Sequence, residues 1–304
     1  MKRCPYAQAG LLRRQAEFFL RMNLIRSKGE MEMKRRFMRI GFIRVFVVAA
    51  LAMTASQLSA QKLETGFLDR AVVVKRSEYR YQVYVPREFS RSKKWPVIIA
   101  LHGGGEYGND GIRQTNGFLA RAIRANPERF PAIVIFPQAH ADGTPGWQLE
   151  GGKAALAALD RSIKEFDGDP KRVVLTGLSA GGNGTWSIAS RYPERFAAIV
   201  PVCGFIFKFK GTTSGVDYPA LAPGDASDLY AFIAKRISGI PVWIFHGDAD
   251  KTVTVEESRK MAAALRAIGA NVQYTELPGV AHNAWDPAYA RADLIEWMLK
   301  QRRP

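Results

Sequence analysis

The chain has 304 residues, 47% of them hydrophobic and 24% charged, a balance that suits one globular domain with a large core or at most two small ones. Its formal net charge of +16 divides unevenly: residues 1–60 hold 12 Lys and Arg against three acidic residues, and the remaining 244 carry 32 against 25. That residue of charge is scattered, with no long basic run and no interleaved aromatics of the kind that track a phosphate backbone, so nucleic acid is set aside as a partner.

In chain order, Lys34, Arg35, Arg36, Arg39 and Arg44 precede an apolar stretch at 45–53 and then small and polar residues to Ala60. This reads as a secretory signal peptide cleaved after Ala60, which predicts a secreted or periplasmic protein. The apolar stretch is much shorter than the roughly 20 residues a bilayer-spanning helix needs, so no stable membrane association is expected after cleavage. Residues 1–30 precede this leader, and Met31 and Met33 each make a better start. The expectation is an over-extended start or an unusually long basic region, which sequencing of the precursor's N-terminus decides. Cys4 would leave with the leader, and Cys203 is then a lone thiol at a strand end, expected as a small buried hydrophobe.

From residue 61 a single domain is expected. It begins with two strand-like runs, 67–74 and 79–85, whose alternation fits a half-buried antiparallel pair. A continuous apolar run at 96–101, ending in His102-Gly103-Gly104-Gly105, predicts an interior strand covered on both faces. A helix at 117–125, a strand at 132–136, a helix at 153–166 and a strand at 172–176 follow. Beyond them lie a helix at 182–191, strands at 197–203 and 241–245, a helix at 255–268, a strand at 272–276 and a closing helix at 287–300. Strands alternating with helices specify a mainly parallel twisted sheet with helices on both faces, behind the N-terminal antiparallel pair. One stretch, about 204–238, is too long for a simple connection, holds a short helical segment at 228–236, and is expected to act as a cap-like wall of a ligand crevice.

Gly177-Leu178-Ser179-Ala180-Gly181 has the form G-x-S-x-G between a strand and a helix, where a tight turn lifts a nucleophilic serine out of the sheet. The serine needs a base, and of four histidines only His282 lies in the loop after the last strand, where a side chain can return to the same sheet edge. After the strand at 241–245, Asp248 and Asp250 compete for the acid. Asp250 is preferred, with Asp248 expected to cap the turn through its own local backbone and Asp286 to cap the final helix. Backbone donors for a developing oxyanion are expected from Ala180 and Gly104, with Gly105 the close rival. There is no metal-ligand spacing and no dinucleotide glycine signature, so no cofactor is expected.

Taken together, Leu101-His102-Gly103-Gly104-Gly105-Glu106, Phe136-Pro137-Gln138, the stretch from Asp169 through Ser179 to Phe196, His246-Gly247-Asp248-Ala249-Asp250 and Ala281-His282-Asn283-Ala284-Trp285 resemble the α/β-hydrolase serine esterases. The likeness runs from about Gly66 to the C-terminus and is nearest to dienelactone hydrolases, polyhydroxybutyrate-depolymerase-like esterases and prolyl-oligopeptidase-type catalytic domains. It implies an α/β-hydrolase fold and ester hydrolysis through an acyl-enzyme, with Ser179, Asp250 and His282 as triad and a small-molecule or polysaccharide-linked ester as substrate, acyl or feruloyl esters among the candidates. The 204–238 stretch is longer than the family's usual connection. The alternatives are a prolyl-oligopeptidase-type peptidase, disfavoured because no propeller-like domain is evident, and a non-catalytic binding protein, disfavoured because all three triad members are present in order.

The two aspartates give a direct test: Asp248→Asn should retain most ester turnover, whereas Asp250→Asn should lose as much as Ser179→Ala or somewhat less. Steady-state kinetics giving the reverse ranking would reassign the acid.

Overall fold

A computed structural model describes residues 31, 33, 64–140, 146–207, 209–210, 217–221 and 228–304. The apolar stretch of the expected leader and much of the 204–238 insertion lie outside the described residues. Residues 1–62 and 63–304 separate into two compact units, and every element below belongs to the second.

β1 (Gly66–Val74) and β2 (Ser77–Val85) pair antiparallel in unbroken register, from Gly66 opposite Val85 to Val74 opposite Ser77. Lys75 and Arg76 turn the corner with φ of 47° and 72°, the paired left-handed geometry that matches the twist of a hairpin. Then come β3 (Trp95–Leu101), β4 (Ile133–Pro137), β5 (Gly168–Leu178) and β6 (Ala198–Val202). A short antiparallel pair, β7 (Phe209–Lys210) and β8 (Asp217–Tyr218), stands apart, and β9 (Val242–Gly247) and β10 (Val272–Leu277) complete the set. The main sheet has eight strands in the order β1-β2-β4-β3-β5-β6-β9-β10, with β2 antiparallel to both neighbours and every later pairing parallel.

Among the described residues seven α-helices connect or cover these strands: α1 (Phe118–Ala125), α2 (Glu150–Glu165), α3 (Ala180–Arg191), α4 (Leu229–Arg236), α5 (Glu256–Ala267), α6 (Trp285–Tyr289) and α7 (Ala292–Lys300). The uninterrupted apolar run of β3 feeds both layers of the core, because successive side chains leave a strand on opposite faces. Val97, Ile99 and Leu101 join Leu159, Trp186, Ile233 and Met261 from α2 to α5. Ile98 and Ala100 instead join Leu119, Ile123, Leu294 and Met298 from α1 and α7. Helices therefore cover both faces, and the central strands have no solvent face, which is why their sequence does not alternate.

Two of the differences from the sequence expectation have a visible cause. β5 starts at Gly168, earlier than the apolar run, because Trp95 pairs with Gly168 across a register shift and Arg302 bonds Asp169 at 2.6 Å. The closing helix is split: Arg291 adopts extended backbone at the N-cap of α7, so α6 is a separate short helix. Asp286 consequently caps nothing. It sits in the first turn of α6, where its amide donates to Asn283 Oδ1 at 3.2 Å and its carboxylate accepts from Asn283 and Arg121. In the insertion, Asp228 does cap α4, its Oδ1 accepting from the amides of Tyr230 and Ala231 at 2.9 and 3.1 Å. Among the described residues no helix is long and apolar enough to cross a membrane.

Ile99 is fully buried in the central strand, so Ile99→Ala should cost about 2–5 kcal/mol of stability through lost burial and a residual cavity. Urea unfolding should report it as a lower midpoint at unchanged slope.

Candidate active site

Ser179 occupies the single residue between β5 and α3, with φ 51° and ψ −114°. A non-glycine residue there costs on the order of 1–3 kcal/mol and persists only where the surroundings hold it. The hold is visible: the Ser179 amide donates to Val202 of β6 at 2.9 Å, and the Ser179 carbonyl accepts from Asn183 at 2.9 Å. Close approach then dictates the flanking residues. A Cβ on Gly177 would strike the Gly181 carbonyl, and one on Gly181 would strike the carbonyls of Leu101 and His102 at the end of β3.

His282, in the loop between β10 and α6, places Nε2 3.0 Å from Ser179 Oγ and Nδ1 2.7 Å from Asp250 Oδ2. A ring nitrogen facing a carboxylate carries the proton, so Nδ1–H donates to Asp250 and Nε2 is free to accept from the serine hydroxyl. Three side chains separated by up to 103 positions in sequence thus form one hydrogen-bonded line. Trp285 packs edge-on against the His282 ring at 5.5 Å.

Asp250 follows β9 and is held from several sides. Its Oδ1 accepts from the amides of Thr252 and Val253 at 2.8 and 3.0 Å. Its Oδ2, which takes the His282 bond, also lies 3.3 Å from His246 Nε2. Burial works against the charge, but hydrogen bonds from His246, His282 and the Val253 amide outweigh it and hold the carboxyl well below the usual range. Asp248, by contrast, reaches across to the loop after β10, where its Oδ1 accepts from the Gly279 amide at 2.7 Å; the expected bond to its own local backbone is replaced by this longer-range tie.

The amides of Ala180 and Gly104 each open a helical turn, α3 and the short 3-10 turn Gly104–Glu106, whose first N–H groups have no partner within the turn. The Gly104 turn is braced by His102. That ring is fully buried, its Nδ1–H donating to the Gly103 carbonyl at 2.7 Å and its Nε2 accepting from the Ala139 amide at 3.0 Å. Trp147 donates to the His102 carbonyl at 3.1 Å, and a Cβ on Gly103 would press into Leu178, the residue before Ser179. Gly105, the rival donor, is exposed with open space around its Cα.

The near ends of the insertion are fastened beside the serine. Asn183 donates to the Phe205 carbonyl at 2.9 Å and accepts from Gln148, which also donates to the Pro219 carbonyl. The hydroxyls of Tyr107 and Tyr218 bond at 2.9 Å, and Glu257 accepts from the Ile206 amide at 2.7 Å. Sequence reasoning missed these anchors and the part played by His246, whose signal was only its position at the head of the Asp250 turn. His246 is fully buried, with Ser258 Oγ donating to Nδ1 at 2.7 Å and Nε2–H directed at the Val253 carbonyl at 2.9 Å as well as at Asp250.

Comparison with known proteins finds that a sequence model of the prolyl oligopeptidase family matches residues 147–301. The chain is similar to an uncharacterized secreted protein of Arthroderma benhamiae, 26% identical over 68% of this chain and 23% of that protein. It is also similar to poly(3-hydroxyalkanoate) depolymerase C of Paucimonas lemoignei, 30% identical over 52% of this chain and 41% of the relative. The chain therefore spans less than half the length of either curated relative. Among solved structures, a thermostable esterase aligns with a TM-score of 0.63 at 30% identity, covering 78% of this chain and 63% of that one. A ferulic acid esterase aligns at 0.59 and 16% identity, covering 79% and 99%, a likeness of fold alone. The architecture is that of the α/β-hydrolases.

Burial drives the His102 pKa from its ordinary 6.5 down to about 4, against a smaller upward pull from the Gly103 carbonyl. The unfolded chain therefore takes up the proton first as pH falls, so this contribution to stability is complete above about pH 6.5 and is lost progressively toward pH 4, about 3 kcal/mol in all. Unfolding measured across that window should be steeper in the wild type than in His102→Gln, which has nothing to titrate there.

Proposed function

We propose that this chain, which belongs to the prolyl oligopeptidase family, is a secreted serine hydrolase that cleaves carboxylic esters through an acyl-enzyme. The observation that carries the reading is the line from Ser179 Oγ to His282 Nε2 at 3.0 Å and from His282 Nδ1 to Asp250 at 2.7 Å. Ser179 is the nucleophile, His282 the general base and then general acid, and Asp250 the carboxylate that fixes the His282 tautomer and stabilises the imidazolium.

In this reaction Ser179 Oγ attacks the ester carbonyl as its proton passes to His282 Nε2. The carbonyl oxygen takes up negative charge and is met by the amides of Ala180 and Gly104, donors already oriented by the rigid turns that carry them. Collapse breaks the bond to the alcohol oxygen, which leaves with the proton from Nε2. Water then repeats the sequence on the acyl-enzyme, activated by the same nitrogen, and releases the acid and the free serine.

The preferred substrates are acyl or feruloyl esters carried on polysaccharide. Support comes from the aromatic surroundings, with Trp285 on the His282 ring and Phe205, Tyr107 and Tyr218 fastened beside α3, and from the names of the similar proteins, a depolymerase of a polyester and esterases. The described residues of the insertion beside α3, 204–207 and 217–221, are read as part of the wall against which the acyl or alcohol group lies. Secretion is supported by the leader pattern of residues 34–60 and by the secreted relative.

A fluorophosphonate probe should label the wild type and leave Ser179→Ala unlabelled, and that substitution should lower kcat on a short nitrophenyl ester by at least ~1,000-fold with the fold intact by circular dichroism. Turnover of an aminoacyl anilide in preference to the ester would favour the peptidase activity instead, and absence of labelling in folded wild-type protein would remove the hydrolase reading.

A further inference from the structure

Cys203 is the first residue after β6, and it too is forced to positive φ, 40°, with its amide donating to Phe245 of β9 at 2.8 Å. The ester mechanism makes no use of its thiol. Yet the sulfur, a carboxylate oxygen of Asp250 and a ring nitrogen of His282 all lie within 4.8 Å of one another. Cys203 and Asp250 are buried, and the His282 side chain, 23% exposed, is the member that faces solvent.

We propose that Cys203, Asp250 and His282 form an inhibitory site for a thiophilic divalent cation, Zn2+ or Cd2+, that shuts the hydrolase off. A sulfur, an imidazole nitrogen and a carboxylate oxygen are the donor set of a three-ligand zinc site with one open position, whereas the thiol disfavours Mg2+ and Ca2+. Zinc bond lengths put tetrahedral donors about 3.5 Å apart, so His282 Nδ1 and Asp250 Oδ2, now 2.7 Å apart, must part slightly to admit the ion. His282 is on a loop rather than in a strand or helix and supplies that movement. Withdrawal of the His282 proton takes one of four hydrogen-bond donors from the buried, ionised Asp250 carboxylate and frees that side of Oδ2 for the cation.

Protons balance. Coordination to Nδ1, the nitrogen beside Asp250, moves the ring proton to Nε2, the tautomer that cannot act as base. The thiol loses its proton to solvent as the thiolate binds the ion, so one proton is released per cation. The ion is an inhibitor here and takes no part in turnover. That its binding silences catalysis rests on the triad reading; that it binds does not.

The test titrates Cd2+ into the full chain, following the ultraviolet thiolate-to-cadmium absorption and nitrophenyl ester turnover on the same samples, with Zn2+ as competitor. Cys203→Ser retains Cys4, so the difference between the two proteins reports Cys203 alone, and Ser179→Ala should keep the absorption although it is inactive. In the wild type the band should grow to one Cd2+ per chain beyond that of Cys203→Ser as turnover falls by at least ~10-fold, both reversed by chelator, with Zn2+ abolishing the band. Removal of one ligand should weaken the site by about 10-fold or more, so Cys203→Ser, compared with its own metal-free rate, should be inhibited only at correspondingly higher Cd2+. Cys203→Ala serves if the serine variant fails to fold by circular dichroism. Equal inhibition of wild type and variant, or a wild-type band no larger than the variant's, overturns the site. If wild-type protein turns over no ester, the band still decides binding.

Discussion

The Asp250 carboxylate is the charge around which the site is built. An ionised carboxyl taken out of water must be given hydrogen-bond donors or it neutralises itself, and Asp250 has them on both oxygens: two backbone amides on Oδ1 and two imidazoles directed at Oδ2. Three of the four donors come from the segment 246–253, so the turn after β9 makes its own anion-holding cup. His282 then has only one favourable orientation, Nδ1–H toward Asp250, and that leaves Nε2 aimed at Ser179. The protonation state of one buried group thus sets the tautomer of the next.

The sheet supplies the positions. β5, β6 and β9 lie side by side and parallel, so their carboxyl ends deliver Ser179, Cys203 and Asp250 to one edge, a consequence of strand order alone. Two of these three residues are bent into the left-handed region immediately at the strand end, and each is held there by its amide bonding the carbonyl of an adjacent strand, Ser179 to Val202 and Cys203 to Phe245. The strain is local, and the pairing that offsets it is the ordinary ladder of the sheet continued by one step. Glycines at 177 and 181 follow because the chain crosses itself there at backbone contact distance.

Much of this was legible in the sequence because its causes are local or periodic. The continuous apolar run at 96–101 means a strand without a solvent face wherever it occurs, and glycines two residues either side of Ser179 mean a turn too tight for side chains. The order of Ser179, Asp250 and His282 along the chain fits the edge they share. What was not legible depends on partners that no local pattern names. His246 looks like the first residue of a turn; its role depends on Ser258, twelve positions on, occupying Nδ1. Asp286 looks like a helix cap until Arg291 breaks the helix and leaves Asp286 inside the first turn of α6, its amide bonded to Asn283. The two-residue pairing of β7 with β8 has no periodicity to detect, and Cys203 is distinguished from any buried thiol only by what lies across the sheet edge.

The two histidines on Asp250 clarify why only one of them is suited to chemistry. Both direct an N–H at the same oxygen, but the second nitrogen of His246 is occupied by Ser258 and its side chain has no exposed surface. His282 has its second nitrogen directed at Ser179 and about a quarter of its side chain exposed. A buried, doubly bonded imidazole is a fixed donor that keeps the carboxylate ionised and oriented; an imidazole bonded on one side and reachable on the other has the geometry the proposed base requires. The division of labour follows from how many neighbours each ring has rather than from any difference in the rings themselves.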